Sequence, residues 1–195
     1  MANDGSMAAY TAAAELASSP EKAAEVPDGI FAHTLGTELG SGWIDEEGKI
    51  PQIPLEVYNC IIDLGSRPER AHGVLDLRSN RNFNTGLAGT LQKYASQSGA
   101  YRLVFKHFNE GQIRELFNAG FIIRRDGGIF AVTQPADMRK PLLERVMSMA
   151  CEGMPEAEEV FREIGEYLAV TWEETEDILC PKTKRRVLFG RFIKK

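Results

Sequence analysis

Apolar positions recur along most of this chain every three or four residues, and only short stretches alternate. From Pro54 the series Leu55, Tyr58, Ile61 and Ile62 keeps helical spacing, with proline at a first helical position and Gly65 as C-terminal cap, which predicts a short buried helix. A second helix is expected from Asn84 or Thr85, burying Leu87, Leu91 and Tyr94 and stopping at Gly99. Ala100 to Phe108 fits a strand through Tyr101, Leu103 and Phe105, or a helix through Tyr101, Val104, Phe105 and Phe108; its helical neighbours favour the helix.

The strongest local signal runs from Asn109 to Thr133. Asn109 followed three residues later by Gln112 is a capping-box pattern, Ile113, Leu116 and Phe117 form an apolar stripe, and Gly120 stands where a left-handed cap belongs, so a helix is predicted over about 110–119. Phe121-Ile122-Ile123-Arg124, then Asp126-Gly127-Gly128, then Ile129 to Thr133 predicts a β-hairpin over 121–133, because Asp-Gly suits the tight turn between two β-prone runs.

Beyond Pro135, Asp137 is placed to cap a helix carrying Leu142, Leu143, Val146, Met147 and Ala150, closed near Gly153. Pro155 then opens another, acidic in its first turn as the helix dipole favours, with Val160, Phe161, Ile164 and Leu168 on one side. Leu168 to Trp172 and Arg186 to Ile193 have β character, with a turn near Pro181. At the other end, residues 1–29 are rich in Ala, Ser and Glu and carry little that is large enough to bury, which predicts a flexible acidic tail. Residues 30–53, with Gly36, Gly40 and Gly42, read as a loop-rich entry. Those glycines lack the Gly-Lys-Ser/Thr ending of a phosphate loop.

These elements sum to an α+β, mainly helical chain: a tail over 1–29 and a single globular domain over 30–195. Within the domain a helical core is expected over 54–168 and an extended basic segment over 169–195. Its apolar share of 43% is enough for a sizeable core, and no apolar run reaches the ~18–20 residues a membrane span needs. Three widely spaced cysteines, Cys60, Cys151 and Cys180, argue against a disulfide framework, and with no signal-peptide pattern a cytoplasmic setting, or association with a virion, is expected.

Charge changes the picture more than composition does. Residues 1–65 hold 2 bases against 11 acids, 66–145 hold 13 against 7, 146–180 hold 1 against 10, and 181–195 hold 7 against none. Such segregation sets up complementary surfaces within one molecule or between neighbouring copies, and a basic stretch also attracts polyanions.

Catalytic patterns are sparse. His33, His72 and His107 stand apart from each other and from the cysteines, so no metal or other cofactor is expected. His72 beside Asp76 suggests a base and its orienter, but no activated nucleophile accompanies them. The chain therefore reads as non-catalytic.

The helix from Asn109 to Gly120 and the hairpin through Arg124-Arg125-Asp126-Gly127-Gly128 resemble the recognition helix and wing of winged-helix domains, over roughly residues 84–134. The resemblance implies that Gln112, Arg114 and Asn118 face bases and that Arg124 and Arg125 meet phosphate. A second basic set, Arg67, Arg70, Arg78, Arg81, Lys93, Arg102 and Lys106, with Phe83, Tyr94 and Tyr101 interleaved, suits backbone binding with base stacking. The sequence reading is thus a nucleic-acid-binding protein, RNA or DNA, of nucleoprotein or coat type or a small regulator. The candidate contacts are Arg67, Arg70, Arg78, Arg81, Arg102, Lys106, Arg114, Arg124 and Arg125. The alternative is a self-assembling or protein-binding subunit, a homo-oligomer joined through its tail and charged blocks, with no membrane partner.

Overall fold

The computed structural model describes residues 4–22, 28–36, 38–53, 55–64, 79–82, 84–125, 129–132, 139–183 and 185–190. The chain forms two compact units where the sequence suggested one domain: Met1–Cys60 with Val170–Lys195, and Ile61–Ala169.

The first unit is built on a three-stranded sheet. Strands β1 (Ile30–Leu35) and β2 (Leu39–Ile44) form an antiparallel hairpin, with Phe31 opposite Trp43 and His33 opposite Ser41. Strand β5 (Arg186–Gly190) lies parallel to β1 on its other edge, so the order is β2-β1-β5. The stretch read as a loop-rich entry is therefore mostly strand. Successive side chains point to opposite faces, which sorts Ala32 and Ile44 to one side and Phe31, His33 and Trp43 to the other.

Helix α1 (Asp4–Ser18) covers the Ala32 face, with Ala9 packed against Ala32 and Ile44. This corrects the expected flexible tail, and the physical reason lies in the residues that suggested it. Gly5, Ala9 and Ala12 recur at helical spacing on one side of α1, and Ala9 and Ala12 are 0% and 2% exposed. Small side chains let a helix backbone lie directly on a sheet. At the helix start the approach is closer still: a Cβ on Gly42 would stand 2.0 Å from the Gly5 carbonyl oxygen, and one on Gly5 would stand 2.1 Å from that of Ser41. Only glycine fits at both places.

The second unit is helical around one hairpin. Helices α2 (Leu91–Ala95), α3 (Gln97–His107) and α4 (Glu110–Asn118) precede strands β3 (Ile122–Arg125) and β4 (Ile129–Val132), which pair antiparallel. Helix α5 (Arg139–Cys151) and then α6 (Pro155–Leu179) follow. Leu103, Val104, Leu116, Leu142, Leu143, Val146 and Val160 make up its core, each no more than 2% exposed.

Helix α4 has the capping box its sequence announces: Asn109 Oδ1 accepts from the Gln112 backbone N–H at 3.0 Å, and Gln112 Oε1 accepts from the Asn109 N–H at 2.8 Å. Gly120 closes it at φ +80. Replacing Asn109 by Ala should destabilise the second unit by about 1 kcal/mol, read as a lower urea midpoint by far-UV circular dichroism.

Other expectations are corrected. The helix expected from Leu55 is one 3-10 turn, Val57–Asn59, because Ile61 instead bridges to Thr90 and the Ile62 N–H donates to the Gly89 carbonyl. The helix expected from 84 begins only at Leu91, and Gly99 lies inside α3 rather than ending α2. Leu168 to Trp172 is not strand: α6 runs through it to Leu179, with Leu168, Thr171 and Thr175 on its buried side. Pro54 and the turn 126–128 lie outside the described residues. Among the described residues no helix is long and apolar enough to cross a membrane.

Candidate functional site

Where the first turn of α1 meets β2, the first unit has a small open cavity of about 100 Å³. Ser6 lines it from α1, Ser41, Gly42 and Trp43 from β2, and Ile50, Pro51, Ile53, Leu55 and Glu56 from the segment that follows the hairpin. Each strand residue is there for a local reason. Gly42 has no side chain because the helix start crosses it, Ser41 turns its hydroxyl to His33 on the other face, and Trp43 is held by stacking on Phe31, ring centroids 5.0 Å apart.

The lining mixes one aromatic, several aliphatic and a few polar groups, the combination that orients small ligands. The Trp43 indole N–H is buried without a hydrogen-bond partner. Glu56 supplies a carboxylate, of which Oε2 accepts from Asn59 Nδ2 at 2.8 Å. Tyr58 stands beside it: burial, then the negative charge of Glu56 and its hydrogen bond, then Glu38, raise the phenol above its ordinary pKa. Glu38 and Glu56 therefore both act on one phenol next to the cavity. Glu38 lies in the tight hairpin turn, where its carbonyl accepts from the Gly36 N–H at 3.1 Å. The N-terminal end of α1 adds the positive end of the helix dipole.

Beneath the hairpin, on the Phe31 face, His33 is 4% exposed and its Nδ1 lies 3.0 Å from Ser41 Oγ. Its ring is 5.4 Å from that of Trp172, and its Nε2 has no hydrogen-bond partner. Burial, then the positive charge of Arg186, lowers its pKa to about 4, so the ring is neutral near pH 7. Arg186 lies over the Phe31 ring, 4.5 Å from its centroid, and donates to Glu176 at 2.7 Å.

The second unit holds a separate polar cluster. Lys106 Nζ donates to both Glu163 oxygens at 2.7 and 2.6 Å, His107 Nε2 lies 2.8 Å from Oε2, and Tyr167 donates to Oε1. Burial pushes the Glu163 carboxyl up, but the hydrogen bonds from Lys106, Tyr167 and His107 outweigh it and bring the pKa to about 2. The cluster ties α3 to the first half of α6. Among the described residues no group of three or more His, Cys, Asp and Glu is placed to hold a metal ion.

Of the basic residues singled out in the sequence, three of those described bond within the chain. Arg81 Nη1 donates to the Gly86 carbonyl at 3.3 Å, and Arg102 Nη1 donates to that of Ser79 at 2.9 Å while its guanidinium lies over Tyr94. Lys106 is engaged with Glu163, and Arg114 is exposed on α4 between Glu110 and Glu115. Arg124 and Arg125 belong to β3, their side chains outside those described; Arg67, Arg70, Arg78 and His72 lie outside the described residues. Gln112, the residue expected to face bases, is bound into its own helix cap. The segregated charges partly meet within the chain instead, as Lys182 with Glu46 at 2.8 Å, Arg186 with Glu176 and Lys106 with Glu163.

The cavity residues escaped the sequence reading. Their one signal was alternation of small residues with a large aromatic, Gly40-Ser41-Gly42-Trp43, which resembles a loop when the helix lying on it is unknown.

No protein-family model and no curated protein sequence matches the chain. Solved structures do share its fold. A ROK family glucokinase from Streptomyces griseus in complex with glucose and AMPPNP superposes with a TM-score of 0.57 at 18% identity, over 96% of this chain and 50% of that one. A glucokinase from Balamuthia mandrillaris in complex with glucose gives 0.54 at 17%, over 96% and 50%. The ROK hexokinase from Thermus thermophilus gives 0.53 at 15%, over 95% and 47%. The chain thus spans about half the length of these structures, and at such identities the likeness is one of fold.

That likeness overturns the winged-helix resemblance, since the helix and hairpin at 109–132 are part of a fold found in kinases. With it fall the nucleic-acid-binding, coat-type and viral readings, nucleic acid or a homo-oligomeric assembly as the partner, and the expectation of a non-enzyme. The sequence misled because a capped amphipathic helix followed by an Asp-Gly hairpin is a local unit that many folds contain.

Proposed function

We propose that this chain is part of a sugar phosphotransferase and that it seats a monosaccharide in the cavity between the start of α1, β2 and residues 50–56. The observation that carries this reading is the cavity itself. Ser6 and Glu56 offer polar groups beside Trp43, in a fold shared with two glucokinases whose structures contain glucose. A sugar ring presents hydroxyls at its edge and C–H groups on its faces, and a pocket pairing polar groups with an aromatic ring suits both. The cavity has the volume of about three waters, so an open-sided seat for part of a sugar ring fits it better than full enclosure.

Phosphoryl transfer to a hydroxyl needs three things near one another: an acceptor held in place, a carboxylate to take its proton, and positive potential for the moving phosphoryl group. Among the described residues, Glu56 is the carboxylate that lines this cavity. The end of α1 on the glycine-bearing strand supplies the positive potential. A nucleoside triphosphate is the natural donor for such chemistry.

Trp43 makes the reading testable in the chain as it stands. Glucose added to concentrations well above ~1 mM should change tryptophan emission saturably, and Glu56→Gln should weaken that response about tenfold or more. Absence of any saturable response to glucose, with a folded protein by circular dichroism, would sink the proposal.

A further inference from the structure

Charge at the proposed sugar site is lopsided, and this bears on which sugars it takes. None of the described residues lining the cavity is Lys, Arg or His, whereas Glu56 contributes a carboxylate. Two bases of the same unit pair with acids: Lys49 donates to Glu47 at 2.6 Å and Lys182 pairs with Glu46 at 2.8 Å. A second carboxylate, Glu38, acts on Tyr58 together with Glu56. The Glu56 carboxylate, exposed to solvent, accepts from the Asn59 amide at 2.8 Å and also bonds to Tyr58.

Building on the sugar-binding reading above, we infer that the cavity selects monosaccharides bearing a protonated amine over neutral ones, and rejects sugars bearing a carboxylate. The ammonium group would meet Glu56, where a carboxylate attracts it and accepts its hydrogen bonds. A sugar acid would bring its carboxylate to the same place, against the like charge of Glu56 and with no described cation lining the cavity to pair with. The positive end of α1 does not cancel this preference, because its attraction fades within one helical turn and is directed to the part of the site proposed for the phosphoryl group.

Three probes of similar size separate the outcomes: glucose, glucosamine and glucuronate, titrated against tryptophan emission at low salt and at a pH where the amine is protonated. Glucosamine should bind about fivefold tighter than glucose, the range expected of a solvent-accessible carboxylate and ammonium, and high salt should erode the difference. Glucuronate should bind more than about tenfold weaker than glucose. In Glu56→Gln the ratio of glucosamine to glucose affinity should fall to near one, whatever happens to affinity overall. Equal affinity for glucosamine and glucose, or glucuronate binding as tightly as glucose, would overturn the charge selectivity while leaving sugar binding intact. A ratio unchanged in Glu56→Gln would overturn the role of that residue and the inference with it. A protein that answers none of the three sugars removes the reading on which the inference rests.

Discussion

Gly42→Val should loosen the first unit by about 3 kcal/mol, the upper end for forcing extra atoms into a packed contact. The atom that a new Cβ meets is the Gly5 carbonyl oxygen at 2.0 Å, with the Gly5 carbonyl carbon and the Ser6 nitrogen close behind. These are backbone atoms in the first turn of α1, so no side-chain rotation relieves the clash and the helix start must lift from the strand. Both tryptophans of the chain, Trp43 and Trp172, lie in this unit, so tryptophan emission during urea unfolding reports on it directly. A lower midpoint in emission is expected, together with loss of the response to glucose, since Ser6 and Gly42 line the same cavity. An unchanged midpoint would show that α1 does not rest on the hairpin.

Mild acid should weaken the same unit through His33. Its folded pKa is about 4 against 6.5 for the free side chain, so between those values the unfolded chain binds a proton that the folded chain refuses. Stability is then fully present above pH ~6.5, falls as pH drops through the window, and has lost about 3 kcal/mol near pH 4. Urea midpoints by tryptophan emission across this range should trace that slope, and His33→Leu should flatten it. Glu163 leaves most of this window clear: its carboxyl is held down to about 2, so its contribution is fully present above ~4.5 and is lost progressively between there and about 2. A wild-type slope that survives in His33→Leu would locate the titrating group elsewhere.

What could be read from the sequence followed the range of the interactions that fix each element. Helix α4 was legible to within a residue because its capping box, apolar stripe and closing glycine all lie within twelve positions. The hairpin β3–β4 and the start of α6 at Pro155 were legible for the same reason. Helix α1 and strand β2 were not, because each makes sense only through the other. Alanines that look like a tail with nothing to bury are what a helix needs to lie flat on a sheet, and Gly40 and Gly42 resemble loop until that helix is in place. The C-terminal half of α6 is rich in β-favouring residues, Val170, Thr171 and Trp172, and tertiary packing of Thr171, Trp172 and Thr175 overrides that preference. The candidate site was invisible for a further reason. Its residues come from three segments, at 6, 41–43 and 50–56, none of which carries a pattern of its own.

Strand β5 has a consequence for how the molecule assembles. It pairs with β1 in register from Phe31 with Arg186 to Leu35 with Gly190, so the sheet that supports the proposed site joins segments more than 150 residues apart. The second unit, by contrast, is one unbroken stretch from 61 to 169. During synthesis the continuous unit has all its parts exposed to one another long before the discontinuous one does. The sheet must wait for residue 190 to leave the ribosome and for a long loop to close. Until then β1 presents an unpaired edge, and the chain is most prone to aggregate in that interval.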